Sequence, residues 1–88
     1  MKLIREILYK VEINSVIGNT SLTINKIEFD SRLISEGDMY VAIKGVNVDG
    51  HDFISNAIQN GANCIICEKI PDQKVDDVVY VNVSSSRK

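Results

Sequence analysis

The sequence is poor in the residues that mark several functional classes. It has no tryptophan, one proline, one histidine and two cysteines in 88 residues. Its 10 basic and 12 acidic side chains are spread along the chain and form no continuous basic stripe of the kind that binds duplex phosphates. We therefore expect no generic nucleic-acid binding.

Long apolar runs are also absent. The opening stretch "MKLIREILYK" interrupts its apolar residues with Arg5, Glu6 and Lys10, unlike the apolar region of a signal peptide. No later run reaches the roughly 20 residues that cross a bilayer. These absences predict a cytoplasmic protein with no membrane partner.

The two cysteines form the motif "CIIC", Cys64 to Cys67, which resembles a redox or zinc-binding motif. They lie in the apolar run "ANCIICEK", which indicates a buried strand, where residues three apart point to opposite faces of the sheet. A redox pair of this spacing sits at a helix N-terminus, and a structural zinc needs four ligands. We therefore predict two buried core thiols and no metal site, with a CxxC redox domain as the alternative.

The first half of the chain contains one helical and one strand pattern. Apolar residues at helical spacing predict a short amphipathic helix over residues 2–11. Ile27 and Phe29 alternate with polar neighbours, which predicts a half-buried strand that ends at Asp30. The stretch "GNTSLT" is typical of a link, and "SEGD" of a tight turn.

The second half predicts a βαβ unit. "MYVAI" is continuously apolar, as in a strand covered on both faces, and predicts a strand over 39–44. A helix over 52–60 follows, with Asp49 or Asp52 as its N-terminal cap and a glycine as its C-terminal cap. The next strand, 62–68, is expected to lie parallel to the first through a right-handed crossover, and "VVYVNV" forms a last strand.

The fold class that follows is α/β. We expect one small two-layer or three-layer domain. Its sheet is mostly parallel or mixed, with about four to five strands, and it carries two main helices.

Side chains that could contact a ligand follow the predicted strands, at the edge where sheets of this kind bind their ligands. The first segment, "DSR" (residues 30–32), follows one strand, and the second, "KGVNVDGHD" (residues 44–52), follows the next. The second segment leads into a helix, and the free backbone amides expected at a helix start favour an anion. Asn47 offers a donor and an acceptor to the edge of a pyrimidine such as uracil, and the Ser31 hydroxyl can play either part. Apolar cover for the base is available from Phe29, Val46 and Val48. The sequence therefore predicts a nucleotide-sized site.

The "DSR" residues also have a structural interpretation. Asp30 is placed to cap the following turn. Arg32 could pair with Asp38 or Glu36 instead of a phosphate. These two interpretations stay open at the level of sequence.

The second loop has structural alternatives as well. Asp49 and Gly50 are more often a turn than a ligand contact, and His51 is equally well explained as a solvated or capping side chain. Nothing supports His51 as a general base, because no Ser or Cys nucleophile is recognisably paired with it. The chain also lacks the Gly-Lys-Thr or Gly-Lys-Ser ending of a P-loop.

A long ordered motif carries a resemblance to a known family. The segment "FDSRLISEGDMYVAIKGVNVDGHDFISNAIQNGANCIICE", Phe29 to Glu68, resembles the N-terminal domain of the Mur ligases. These ATP-dependent enzymes add amino acids to the UDP-N-acetylmuramoyl peptide precursor of bacterial peptidoglycan. The resemblance covers nearly the whole chain. It is strongest to MurE, the ligase for the third residue of the peptide, through "FDSR", "DGHDFI" and "CEKIP".

The resemblance implies specific roles for the residues after the strands. Residues 1–84 would be the domain that binds the UDP part of UDP-N-acetylmuramoyl-L-alanyl-D-glutamate, and residues 85–88 would begin a linker to an ATP-binding central domain. The implied uridine contacts are Phe29, Ser31, Val46, Asn47 and Val48. Roles in shaping the two loops are implied for Asp30, Arg32, Gly45, Asp49, Gly50 and His51.

The resemblance also implies that these 88 residues are a non-catalytic part of an acid–amino-acid ligase that uses ATP and magnesium. No cofactor, metal or catalytic residue is expected within them. The implied partners are the UDP-N-acetylmuramoyl dipeptide and the two remaining domains of the parent ligase, and the implied process is cell wall biogenesis, with cell shape and division. The alternatives are the equivalent domain of MurF, a non-enzymatic interaction module and the CxxC redox domain.

Overall fold

The computed structural model describes residues 2–9, 12–43, 49–72 and 74–84. Within these ranges the chain forms a five-stranded sheet, a two-stranded sheet and two α-helices, so the predicted α/β fold class is confirmed. Two 3-10 turns, Ser31–Leu33 and Gly50–Phe53, complete the regular structure of these ranges. In chain order the other elements are β1 Lys2–Leu3, α1 Ile4–Ile7, β2 Ile13–Ile17, β3 Thr23–Ile24, β4 Ile27–Glu28, β5 Met39–Val41, α2 Ile54–Gln59, β6 Cys64–Cys67 and β7 Val79–Val83.

The main sheet has the order β2-β7-β6-β5-β4. Strands β4, β5, β6 and β7 are parallel, and β2 runs antiparallel along β7. The predicted parallel pairing of β5 with β6 is therefore confirmed, while the handedness of their connection stays a prediction. All four parallel strands have their carboxyl ends at one edge of the sheet, which is where connecting loops can form a site.

The core has one apolar cluster on each face of this sheet. Met39 and Val41 belong to one cluster, with Ile4 of α1, whereas Tyr40 and Ala42 belong to the other, with Ile54 of α2. This alternation follows from the two-residue period of a strand. It confirms a strand covered on both faces within "MYVAI", although β5 covers only Met39–Val41 and not the predicted 39–44.

The helical segment after β5 starts differently from the prediction. A 3-10 turn over Gly50–Phe53 precedes α2, and the Asp49 side chain caps that turn by accepting a hydrogen bond from the His51 amide. At the other end Gly61 has φ +115° and its amide donates to the Ile58 carbonyl at 3.0 Å, as a left-handed C-terminal cap requires. The predicted glycine cap is therefore confirmed, whereas the aspartate cap predicted for the helix acts on the 3-10 turn and α2 itself begins after Phe53 without a side-chain cap.

The N-terminal helix is shorter than predicted. Helix α1 covers Ile4–Ile7, because Lys2–Leu3 pairs with β3 as a strand, and residues 10 and 11 lie outside the described ranges. Strand β2 was not predicted, since the apolar and polar residues of "INSVI" do not alternate. All five of its residues are exposed, so it forms through pairing with β7 and not through burial.

Strand β4 is also different from the prediction. It covers only Ile27–Glu28, and Ile27 and Phe29 are 43% and 59% exposed, so the expected half-buried face is wrong. The physical reason is that β4 is an edge strand of the sheet. The turn predicted at "SEGD" is confirmed, with the Asp38 amide donating to the Ser35 carbonyl at 3.2 Å.

The cysteines are buried core residues, as predicted. Cys64 packs in the cluster on the α1 side of the sheet, and Cys67 packs in the cluster on the α2 side. Burial raises the pKa of the Cys64 thiol to about 12 and that of Cys67 to about 11. Burial therefore favours the uncharged form of both thiols at neutral pH.

Candidate functional site

A cleft of about 560 Å³ lies where β4 and β5 end. Its walls come from the segment after β4, the end of β5 and the start of the helical segment. The lining residues are Phe29, Asp30, Ser31, Arg32, Tyr40, Ile43, Gly50, Phe53 and Asn56. The structure thus brings the two segments that the sequence singled out to one edge of the sheet.

The predicted uridine contacts divide into two groups. Phe29 and Ser31 both line the cleft. The contacts predicted at Val46, Asn47 and Val48, and the loop role of Gly45, lie outside the described residues. The described residues Ile43 and Gly50 both line the cleft, and the Gly50 amide donates to the Ile43 carbonyl at 2.8 Å.

The "DSR" turn is held by a carboxylate. The Asp30 Oδ1 atom accepts from the Arg32 amide at 3.0 Å and from Arg32 Nε at 3.1 Å, while Oδ2 accepts from Arg32 Nη2 at 2.8 Å. The side-chain hydrogen bond from Arg32, followed by the bond from its amide, lowers the pKa of Asp30 to about 2. The predicted capping by Asp30 is confirmed. The suggested pairing of Arg32 with Asp38 or Glu36 is wrong, because the guanidinium pairs with Asp30.

Ser31 is the most enclosed polar residue of the cleft, with 5% of its surface exposed. Its carbonyl accepts a hydrogen bond from Asn60 Nδ2 at 2.8 Å, which ties the "DSR" turn to the end of α2. Asn60 and the lining residue Asn56 were missed in the sequence, because nothing local distinguishes them from other polar helix residues.

Two aromatic rings line the cleft and remain accessible. Phe29 is 59% exposed and Phe53 is 37% exposed. The helix predicted over 52–60 includes Phe53, but this residue lies in the 3-10 turn that precedes α2 and lines the cleft. Exposed aromatic side chains beside a polar pocket can stack on the flat face of a base.

The far wall of the cleft is built from Tyr40 and Gly50. The Tyr40 hydroxyl donates to the Gly50 carbonyl at 2.8 Å. A Cβ atom at Gly50 would lie 2.7 Å from the Ile43 amide nitrogen, so glycine is required there for the close approach to β5. Sequence reasoning assigned Gly50 to a turn and did not identify Tyr40. A tyrosine inside an apolar run was the available signal, because a buried hydroxyl needs a partner.

His51 connects the second loop to β6. Its Nε2 atom accepts from the Glu68 amide at 3.0 Å, and Nδ1 lies 2.7 Å from Asp49 Oδ1. Since a backbone amide can only donate, Nε2 carries no proton and Nδ1–H donates to Asp49. His51 and Asp49 line a neighbouring cavity with Glu68 and Lys69, outside the cleft. This arrangement is consistent with the loop-shaping role expected of both.

At the helix start, three of the described amides that were expected to be free already have acceptors within the chain. The His51 amide is bonded to the Asp49 side chain, the Asp52 amide donates to the Asp49 carbonyl, and the Ile54 amide donates to the His51 carbonyl. These amides are therefore unavailable to a ligand. The prediction of free amides failed because an aspartate cap and a 3-10 turn consume them.

Comparison with known proteins identifies sequences similar to this chain. A family model described as "Mur ligase family, catalytic domain" matches residues 23–88. The UDP-N-acetylmuramoyl-L-alanyl-D-glutamate--2,6-diaminopimelate ligase of Phocaeicola vulgatus is 40% identical over 86 residues, which cover 98% of this chain and 18% of that protein. The enzyme of the same name from Clostridium tetani is 40% identical over 90 residues, with 100% of this chain and 18% of that protein covered. The chain thus spans less than a fifth of the length of these curated relatives.

Solved structures of the same family share the fold. MurF from Acinetobacter baumannii superposes with a TM-score of 0.65 at 31% identity, covering 73% of this chain and 14% of that one. The MurF ligase from Thermotoga maritima in complex with ADP gives a TM-score of 0.62 at 42% identity, with 74% and 14% covered. Both the sequence relatives and the structural neighbours are Mur ligases. This chain therefore belongs to the Mur ligase family.

Proposed function

We propose that this chain binds the UDP moiety of UDP-N-acetylmuramoyl-L-alanyl-D-glutamate for a MurE-type ligase of peptidoglycan synthesis. The observation that carries the proposal is the meeting of two distant segments in one cleft, with Phe29 and Ser31 facing Gly50 and Phe53. In this proposal residues 1–84 are the substrate-binding domain, and residues 85–88 begin the linker to an ATP-binding domain.

The cleft suits a nucleotide in size and chemistry. Its volume of about 560 Å³ falls within the range of roughly 300 to 1,000 Å³ that is usual for small-molecule sites. The accessible rings of Phe29 and Phe53 provide apolar cover, and the enclosed Ser31 offers a polar group beside them. The contacts predicted at Val46, Asn47 and Val48 would add the edge of the base.

Catalysis would belong to the rest of the parent enzyme. The sequence has no Gly-Lys-Thr or Gly-Lys-Ser motif, and the described residues contain no group of three or more His, Cys, Asp or Glu that could hold a metal ion. The described residues therefore do not fit ATP or magnesium. The chain's proposed contribution is to hold and orient the nucleotide end of the substrate. The names of the curated relatives favour 2,6-diaminopimelate as the amino acid that the parent adds.

The equivalent domain of MurF is a second candidate. Two MurF structures superpose with TM-scores of 0.65 and 0.62. MurE is preferred because curated relatives of that name cover 98% and 100% of this chain at 40% identity. Activity of the full-length ligase with UDP-N-acetylmuramoyl-L-alanyl-D-glutamate and diaminopimelate would support MurE, and activity only with the tripeptide product and D-alanyl-D-alanine would support MurF.

A redox function is poorly supported, since Cys64 and Cys67 are both buried in a strand with raised pKa values. Thiol labelling of the native chain should be slow at both positions. Fast labelling of the two together, at native conditions, would favour the redox alternative.

Binding itself can be tested by titrating UDP into the isotopically labelled chain and recording amide chemical shifts. We expect shifts at residues 29–32 and 49–53 at millimolar ligand. Ser31→Ala should reduce the affinity, whereas Ser55→Ala, an exposed serine of α2 outside the cleft, should leave it unchanged. No shift in the wild-type chain at millimolar UDP would contradict the proposal and favour an interaction module.

A further inference from the structure

Arg32 has no assigned part in the docking described above beyond shaping its turn. We propose that the Arg32 guanidinium directly binds the diphosphate of the docked nucleotide and so selects nucleoside diphosphates over nucleosides. This inference rests on the proposed function, because it assigns a ligand group to one side chain of the same cleft. Arg32 lines the cleft and its side chain is 86% exposed, so an anion can reach it.

The charges around the cleft make a cation necessary for an anionic ligand. Asp30 lines the cleft, and Asp49 follows the segment that returns to it. Both carboxylates are close enough to the Tyr40 hydroxyl to add to the rise in its pKa that burial causes. Among the described lining residues Arg32 is the only one with a positive charge. Without it the charged lining residues that the structure describes would present only negative charge to a diphosphate, which is repulsive.

Other donors for a phosphate are scarce at this edge of the sheet. The amides of His51, Asp52 and Ile54, which begin the helical segment, already have acceptors within the chain. The Arg32 amide is bonded to Asp30. The guanidinium is therefore the strongest remaining donor that the described part of the cleft offers.

The pairing with Asp30 leaves the guanidinium available while it fixes its position. Asp30 accepts from Nε and from one N–H of Nη2. A guanidinium carries five N–H donors, so the two of Nη1 and the second of Nη2 have no partner among the described residues. A planar group held along one edge presents its other edge in a defined orientation, which suits the oxygens of a phosphate. Asp30 is thus a positioning residue for Arg32.

The test compares ligands that differ only in phosphate. Uridine, UMP and UDP are titrated into the wild-type chain, Arg32→Gln and Arg5→Gln, with amide shifts as the readout. Arg5 is an exposed arginine of α1 outside the cleft, so its variant matches the change in net charge. We expect Arg32→Gln to weaken UDP binding by about fivefold to tenfold, UMP binding by less, and uridine binding not at all. Arg5→Gln should leave all three affinities unchanged, and Arg32→Lys should restore part of the affinity for UDP.

Three results would overturn the inference, and they separate it from the proposed function. If Arg32→Gln weakened the binding of uridine and of UDP equally, Arg32 would only shape the site. Unchanged UDP binding in that variant would show that Arg32 does not contact the ligand. In both cases the proposed docking of UDP would stand. If the wild-type chain binds neither uridine nor UDP, the proposed function fails and the inference fails with it.

Discussion

Two ion pairs lie at opposite edges of the main sheet, and they differ in how they are built. At the amino ends of β4 and β5, Lys26 pairs with Asp38 at 3.2 Å, and the Asp38 side chain is 1% exposed. At the carboxyl ends, Arg32 pairs with Asp30 at 2.8 Å, with side chains 86% and 38% exposed. In the first pair the carboxylate is buried while Lys26 is 45% exposed, whereas in the second pair both side chains are open to a ligand.

The hydrogen bonds of the two carboxylates show the same contrast. Asp38 Oδ2 also accepts from the Ser35 amide at 2.7 Å, and Lys26 Nζ also donates to the Leu33 carbonyl at 2.7 Å, so that pair joins two segments of chain. Among the described residues, the Asp30 carboxylate accepts hydrogen bonds from Arg32, within its own turn. We infer that the amino edge of the sheet contributes mainly to stability and the carboxyl edge mainly to binding. The following predictions test that division.

The largest effect is expected from a matched pair of glycine substitutions. A Cβ atom would lie 2.5 Å from the Glu36 Cα at Gly61, near the amino edge, and 2.7 Å from the Ile43 nitrogen at Gly50, on the cleft. Because both contacts are with backbone, each change to Ala should cost about 2 to 3 kcal/mol of unfolding free energy in urea. At temperatures where both variants are folded, only Gly50→Ala should lose UDP affinity. Loss of UDP affinity in Gly61→Ala would contradict the division of the sheet into a stabilising amino edge and a binding carboxyl edge.

The next largest effect is expected on stability, from substituting Asp38 and Asp30 in turn. Asp38→Ala should lower the unfolding free energy by about 2 kcal/mol, because the Ser35 amide loses a charged acceptor in a partly buried hydrogen bond. The Oδ1 atom of Asp38 has no partner among the described residues, and removing it recovers part of the cost. Asp30→Ala should have a much smaller effect, since solvent screens an exposed pair. Equal destabilisation in chemical denaturation would show that both edges are structural.

A smaller effect, on binding affinity, is expected from substituting an aromatic residue that lines the cleft. Phe29→Ala should weaken uridine binding roughly fivefold, which corresponds to about 1 kcal/mol of lost stacking. Its effect on stability should be slight, because the ring is 59% exposed. Leu33→Ala is the control, since Leu33 is 56% exposed and lies outside the cleft. Similar loss of uridine affinity in calorimetry of both variants would argue against stacking on Phe29.

The smallest effect is a pH dependence of stability. The folded chain lowers the pKa of Asp30 from 3.8 to about 2. A depressed carboxyl pKa stabilises the folded state above the unfolded pKa, and this contribution is lost as the pH falls from about 4 to about 2. The difference in unfolding free energy between pH 5 and pH 2.5 should therefore be smaller in Asp30→Asn than in the wild-type chain. An unchanged difference would mean that the Asp30–Arg32 pair does not persist in solution.

Sequence reasoning was most successful for the unit from β5 to β6. There the apolar run, the helical spacing and the glycine cap all lie within the elements that they specify, so local pattern was sufficient. It was least successful at the edges of the sheet. Strand β2 has no internal pattern and depends on its partner β7, and the exposure of Ile27 and Phe29 depends on β4 having a neighbour on one side only.

The sequence by itself determined the α/β class, the burial of the cysteines and the two segments that approach the site. These follow from periodicity and from the rule that parallel strands place their carboxyl ends together. Only the tertiary structure decided that Arg32 pairs with Asp30, that Gly50 packs against β5 and that Phe53 faces the cleft. Each of these contacts depends on where turn geometry and neighbouring elements place the side chains. No local sequence pattern encodes those positions.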